Sequence, residues 1–165
     1  LAHNNGLLDK DISDLSVNQQ RNRNEPIFDR NLHDYVPLYF NPRNAMLYLR
    51  QTTETDLVIL QLSNVLISME GSIFTPGNAA YSDTQFWYSV EEFKRLPLDA
   101  IFSRSWFMKP GYKYTMCAEV LVHERIDVPH IHAIYTGYNK LAKRVQTLVG
   151  KDSHIKVKSD DSYFF

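Results

Sequence analysis

Apolar positions along the chain fall into short runs, and their periods predict a mixture of brief strands and brief helices. Residues 11–23 (DISDLSVNQQRNR) open on a capping-type Asp11 and put Ile12, Leu15 and Gln19 at helical spacing. That helix should stop at Asn24-Glu25-Pro26. Residues 35–40 (YVPLYF) are apolar and aromatic, but Pro37 restricts them to an edge strand or an irregular extended segment. Asn41-Pro42-Arg43-Asn44 is turn chemistry leading into the short apolar run 45–48. Residues 56–62 predict a buried strand and 64–69 a short helix. Asp83 caps a predicted helix through Arg95, and 98–102 makes another turn or two. Residues 114–124 alternate and predict a strand. A short strand at 133–135, a helix over 139–149 ended by Gly150, and a last strand at 155–158 complete the pattern. Strands mixed with short helices, without a regular βαβ rhythm, predict an α+β fold.

Composition narrows the class. At 165 residues, with no internal repeat, low-complexity tract or Gly/Ser linker, a single domain is the economical organisation. A chain of this length can bury roughly 70% of its unfolded surface, enough for its own core. With 44% apolar and 22% charged residues it is neither disordered nor fibrous. No run approaches the ~20 apolar residues of a membrane helix, and the nearest candidate, 57–67, is broken by Gln61, Ser63 and Asn64, so no membrane partner is expected. The lone Cys117 excludes an internal disulfide and a thiolate zinc cage. A net charge of −1 means that any polyanion must be met by a local patch. The chain opens at Leu1 with no charged and apolar leader behind it, which reads as an intracellular domain lacking its own N-terminal piece.

Glu119 is the residue hardest to explain as structure. Cys117, Ala118, Val120, Leu121 and Val122 surround it, so a carboxylate is placed on a core strand. A buried carboxylate is costly unless paired, and it can be kept for function. The structural alternative is a strand-edge glutamate paired to an arginine such as Arg125. Upstream, residues 104–114 carry Arg104, Lys109 and Lys113 among four aromatics, with no acid between Asp99 and Glu119. Cations and flat rings in a loop suit single-stranded nucleic acid, although Trp106 and Phe107 could equally pack on the core. A second basic stretch, 139–158, holds six Lys and Arg against Asp152 alone, and half of it could be a solvated helix face. The amide-rich, acid-free run 18–24 could grip phosphates or end a helix. His33 beside Asp34 could be a polarised imidazole or an ordinary hydrogen-bonded pair. His130 and His132 would share a strand face, but Pro129 precedes them and no third ligand follows, so no metal is expected. Cys117 reads as core. Neither a Gly-rich phosphate loop nor a Gly-x-Ser-x-Gly elbow is present, which removes P-loop, Rossmann and α/β-hydrolase readings.

The run from Leu32 to Tyr48 (LHDYVPLYFNPRNAMLY) resembles the DarT family, bacterial toxins that ADP-ribosylate thymidine bases in single-stranded DNA using NAD. Further pieces follow in that family's order: Arg21-Asn22-Arg23, Ile73-Phe74-Thr75, Trp106, Ala118-Glu119-Val120-Leu121-Val122 and Tyr163-Phe164-Phe165. The resemblance implies an ADP-ribosyltransferase fold, two small and mostly antiparallel sheets flanking an NAD cleft, over a single domain spanning 1–165. It implies that Glu119 and Arg21 are catalytic. Arg21, Tyr39 and His33 would bind NAD, with Arg21 and Tyr39 beside the nicotinamide ribose and target base. Arg43, Met46, Tyr48, Trp106, Lys109 and Lys113 would receive the DNA. It also implies a macrodomain antitoxin of the DarG kind and a bacterial cytoplasmic setting. Because Leu1-Ala2-His3-Asn4 looks like a stretch lying a few dozen residues into the family, the family's first strand, with its NAD-holding His, is expected to be absent from this chain.

The chemistry supports such a role for a rigid carboxylate. Cleaving the nicotinamide–ribose bond develops positive charge on the sugar, as in glycoside hydrolysis, and a facing carboxylate stabilises that charge. A guanidinium with a pKa above ~12 is a poor base, so Arg21 is expected to act as a stabilising cation while Glu119 or water takes the thymine N–H proton. Two other readings stay open: transfer to RNA or protein, and a non-catalytic module that only binds single strands.

Overall fold

In the computed structural model, which describes residues 19–52 and 56–165, six strands form two three-stranded sheets. The strands are β1 (Tyr35–Tyr39), β2 (Val58–Leu62), β3 (Ile73–Thr75), β4 (Glu119–His123), β5 (Ile131–Thr136) and β6 (Lys156–Ser159). The first sheet runs β1-β4-β3 and is antiparallel throughout. The second runs β2-β5-β6, antiparallel between β2 and β5 and parallel between β5 and β6. The α+β class with two small, mostly antiparallel sheets is the expected one.

β4 is the axis of the molecule, because it is paired on both edges and covered on both faces. Leu121 packs with Leu32, Tyr35, Ile73 and Ala79 on one face, whereas Val120 and Val122 pack with Leu66 and Phe74 on the other. That explains its near-continuous apolar run. Pro37 sits on β1, an edge strand, as its missing N–H requires. The helix Asn139–Val149 and its Gly150 terminator (φ 86°) lie where the sequence predicts, bridging β5 and the parallel β6.

Three expectations are corrected. The predicted helix from Asp83 shrinks to Val90–Phe93, because Ser89 and Glu92 form a capping box there and Trp87 is drawn into a bridge with Phe74. The predicted strand over 114–124 begins as a helical turn, Tyr112–Thr115, entered through Gly111 at φ 87°, and extends only from Glu119. Strand β2 is not buried: it is an edge strand with Val58 and Leu60 exposed. The apolar run after Asn44, to which the sequence pattern assigned no element, is the helix Ala45–Gln51, since the Asn44 side chain accepts the Met46 and Leu47 N–H groups. Of the predicted helix at 11–23, residues 19–23 fall within the described residues, and 19–21 of them are helical.

Residues 21–31 are fastened over the first sheet by a buried acid. Glu25 accepts the N–H groups of Ile27, Phe28 and Arg30 and the Tyr35 hydroxyl, and the Arg23 carbonyl accepts the Leu32 N–H at 2.9 Å. This turn fixes where Arg21 and Arg23 can reach. Among the described residues no helix is long and apolar enough to cross a membrane.

Candidate active site

Glu119 is the first residue of β4, opposite Tyr39 on β1 and Thr75 on β3. Directly paired antiparallel residues point to one face, so the three side chains share it. Thr75 locks the start of the strand: its Oγ1 accepts the Glu119 N–H at 3.3 Å and donates to the Gly77 carbonyl at 2.7 Å. The Glu119 carboxylate is fully enclosed. Oε2 accepts both terminal nitrogens of Arg21 at 3.2 Å, and Oε1 accepts the Ala79 N–H at 3.3 Å. Burial pushes its pKa above the ordinary glutamate range, and the Arg21 charge and the two hydrogen-bonding partners pull it partly back. The result is an acid held stiffly by a cation on one oxygen and a backbone donor on the other.

The expected arginine partner exists, but it is not Arg125. Arg125 pairs with Asp127 at 3.4 Å, both largely exposed, and the partner of Glu119 is Arg21, 98 residues away in sequence.

The segment 76–84 forms a partition beside the acid. Ala79 touches Glu119, whereas its neighbour Ala80 lines a cleft of about 790 Å³. Into this cleft the fold brings Arg43, Met46, Tyr48, Trp106 and Lys113 together, five of the six residues expected to meet DNA. Lys109 is not among its walls. The rings of Tyr48, Trp106 and Phe165 meet pairwise with centroids 5.4 Å apart, forming an aromatic corner. Arg43 is tied to the chain's last residues: its Nη1 donates to the carbonyls of Ser162 and Phe164, and its guanidinium lies 4.4 Å from the Phe165 ring. The Phe165 ring in this corner was legible only as part of the aromatic end.

Tyr39 is 37% exposed and lies on the same face of the sheet as the enclosed acid. His33 lies elsewhere. It precedes β1 at the end paired with His123, so four strand steps, roughly 14 Å, separate that end from Glu119. The structure brings Arg21, Tyr39 and Glu119 together and leaves His33 apart. Cys117 is buried, and burial pushes its thiol pKa up, as for a core cysteine. His130 ends a short 3-10 turn while His132 lies on β5, so they do not form one strand face. No group of three or more His, Cys, Asp or Glu suited to a metal occurs among the described residues.

One residue that sequence reasoning passed over is Arg23. It donates to the carbonyls of Ala79, Tyr81 and Ser82 at 2.9, 2.5 and 3.1 Å, fastening the partition. Its place in the Arg21-Asn22-Arg23 run was the only available signal.

Relatives share this architecture. A Thermosipho africanus DNA ADP-ribosyl transferase–DNA ADP-ribosyl glycohydrolase fusion protein is 29% identical over 161 residues, covering 94% of this chain and 41% of the fusion. The Thermosipho africanus DarTG structure in complex with ADP-ribose superposes with a TM-score of 0.83 at 27% identity, covering 94% of this chain and 42% of that one. Thermus sp. 2.9 DarT, solved in complex with ADP-ribosylated ssDNA, superposes with a TM-score of 0.79 at 22% identity over 95% of this chain and 82% of that one. The same protein in complex with NAD+ gives 0.69 at 23% identity, over 81% and 74%. The chain thus spans about two fifths of the fusion relative. The family profile described as ssDNA thymidine ADP-ribosyltransferase, DarT, matches residues 1–165, and the chain therefore belongs to the DarT family.

Proposed function

We propose that this chain is the catalytic domain of an ADP-ribosyltransferase that uses NAD to modify a thymidine base in single-stranded DNA. The observation that carries the reading is the enclosed Glu119–Arg21 pair at the head of β4, beside an exposed Tyr39 and next to a cation-and-aromatic cleft. The cleft volume lies within the ~300–1,000 Å³ of ordinary ligand sites. NAD supplies the ADP-ribosyl group and the nicotinamide leaving group. As the bond from the sugar carbon to nicotinamide breaks, its electron pair departs with neutral nicotinamide and the sugar gains positive charge. Glu119 faces that charge and accepts a hydrogen bond from the ribose, stabilising the transition state more than the ground state. The thymine ring nitrogen then bonds the sugar carbon and gives its proton to Glu119 or water, while Arg21 stabilises the developing negative charge on the base. Tyr39 walls the nicotinamide side. Arg43, Met46, Tyr48, Trp106 and Lys113 receive the strand, its phosphates on cations and its bases on rings.

Residues 1–165 act as one domain on this reading. Its setting is the bacterial cytoplasm, as the toxin of a toxin–antitoxin pair whose antidote is a macrodomain hydrolase. The glycohydrolase half of the Thermosipho relative supports such a partner. The test is mass spectrometry of DNA, RNA and protein incubated side by side with NAD and the full-length protein. An added ADP-ribose mass on thymidine-containing single strands is expected. Modification of RNA or protein alone would overturn the acceptor, and no transfer to any of them would leave a binding module.

A further inference from the structure

Arg21 and Arg23 leave the same short segment and converge on opposite oxygens of one carboxylate by different routes. Arg21 reaches Oε2 directly, at 3.2 Å. Arg23 does not touch Glu119. It grips the carbonyls of Ala79, Tyr81 and Ser82, and the Ala79 N–H donates to Oε1. We infer that Arg23 is a positioning residue for Glu119, holding the 79–82 segment so that the Ala79 amide stays on the carboxylate and Ala80 stays in the cleft wall.

The geometry argues for a specific brace rather than general packing. The N–H and carbonyl of Ala79 belong to the two peptide planes that meet at its Cα, so clamping the carbonyl restrains the direction of the amide. A planar guanidinium can satisfy three carbonyls at once, which a lysine ammonium on a flexible stem cannot match. Arg23 is itself anchored: its carbonyl accepts the Leu32 N–H, Asn24 bridges Asn31, and its guanidinium lies 5.6 Å from the Phe86 ring. Phe86 packs on the cluster that contains Ala79 and Leu121. The other end of the segment is held separately, where Thr84 Oγ1 donates to the Asn78 carbonyl and meets the Tyr114 hydroxyl at 3.1 Å. Releasing Arg23 therefore frees the centre of the segment while its ends stay pinned.

This inference deepens the transferase reading, yet its main readout needs no turnover. The groups facing Glu119 are Arg21 from the helix end at 19–21, Tyr39 from β1, Tyr114 from the turn before β4, and Cys117 at the approach to β4. None of them is altered in Arg23→Ala. The experiment follows Glu119 in the ligand-free protein by 13C NMR of its side-chain carboxyl, assigned by its disappearance in Glu119→Gln. Losing a hydrogen bond to a charged group should move the titration midpoint up by about one pH unit in Arg23→Ala. Arg23→Lys should recover only part of that shift. In the wild type the Ala79 amide 15N shift should titrate together with Glu119, a measurement that stands even if Arg23→Ala does not fold. Where turnover is measured, kcat should fall about tenfold in Arg23→Ala with its acid limb displaced to higher pH. A wild-type Glu119 midpoint in folded Arg23→Ala, or an Ala79 amide insensitive to Glu119 titration, would overturn the inference.

Discussion

Both terminal nitrogens of Arg21 lie 3.2 Å from a single oxygen of Glu119, leaving the other oxygen to the Ala79 amide. The contact is end-on rather than a two-oxygen fork, so each carboxylate oxygen has its own donors. The transferase reading predicts that Glu119→Gln lowers ADP-ribose transfer by about 10³-fold, as expected for a preorganised charge lost from the transition state. Oligonucleotide affinity, measured by fluorescence anisotropy, should stay at the wild-type value.

The Arg21 charge also sets the acid limb of the reaction. Burial holds Glu119 above the ordinary glutamate range, so transfer should fall as pH drops through that raised value and the acid gains a proton. Arg21→Gln removes the cation that pulls the value down, so the limb should move to higher pH. Stability runs the opposite way with pH. A raised folded-state pKa favours the native state below the ordinary glutamate value, and that contribution is lost as pH rises toward the folded value. Without Arg21 the ionised acid is buried unpaired, a loss of about 3–5 kcal/mol near neutral pH that should shrink on acidification. Urea denaturation across pH checks this.

Glu25 has the opposite linkage. Burial alone would raise its pKa, but the Phe28, Arg30 and Ile27 N–H groups and the Tyr35 hydroxyl bring it below the ordinary range. Its contribution is therefore present above the ordinary glutamate pKa and lost as pH falls through the lowered value. Glu25→Ala should destabilise by about 1–3 kcal/mol, since it strips buried donors of their acceptor. It should also relax the Tyr35 phenol, pushed up to about 12 by burial and then by Glu25, toward the ordinary tyrosine range, read by ultraviolet titration.

Gly77 permits Tyr114 to lie flat against the partition. A Cβ at Gly77 would fall 2.2 Å from the Tyr114 ring. Gly77→Ala should cost about 1–3 kcal/mol of stability through that overlap. Adding Tyr114→Ala should suppress most of the loss, because the obstructing ring is gone. A double-mutant cycle by thermal denaturation measures the coupling.

The aromatic corner of Tyr48, Trp106 and Phe165 supplies faces for unstacked bases. Trp106→Ala should weaken single-stranded oligonucleotide binding by about 1–3 kcal/mol, the usual worth of one stacked base. Lys113→Ala should instead reduce the salt dependence of binding, as a lost phosphate contact does. Titrations at several salt concentrations separate the two effects.

The sequence by itself determined the α+β class, the edge placement of the Pro37 strand, the helix Asn139–Val149 with its Gly150 stop, and Glu119 as the misfit on an apolar strand. Each rests on local chemistry: a missing N–H, a helical period, a left-handed glycine, a charge among apolar neighbours. Only tertiary structure decided the partners. Nothing local says that the acid at 119 takes its cation from residue 21 rather than 125, because that choice depends on the Glu25 turn laying residues 21–23 over the first sheet. The same is true of β2, whose apolar run reads as core but lies on an edge once β5 takes its other partner from β6. Local energetics choose turns and periods, whereas the closing of long loops chooses which side chains meet. The candidate site is built from such distant meetings.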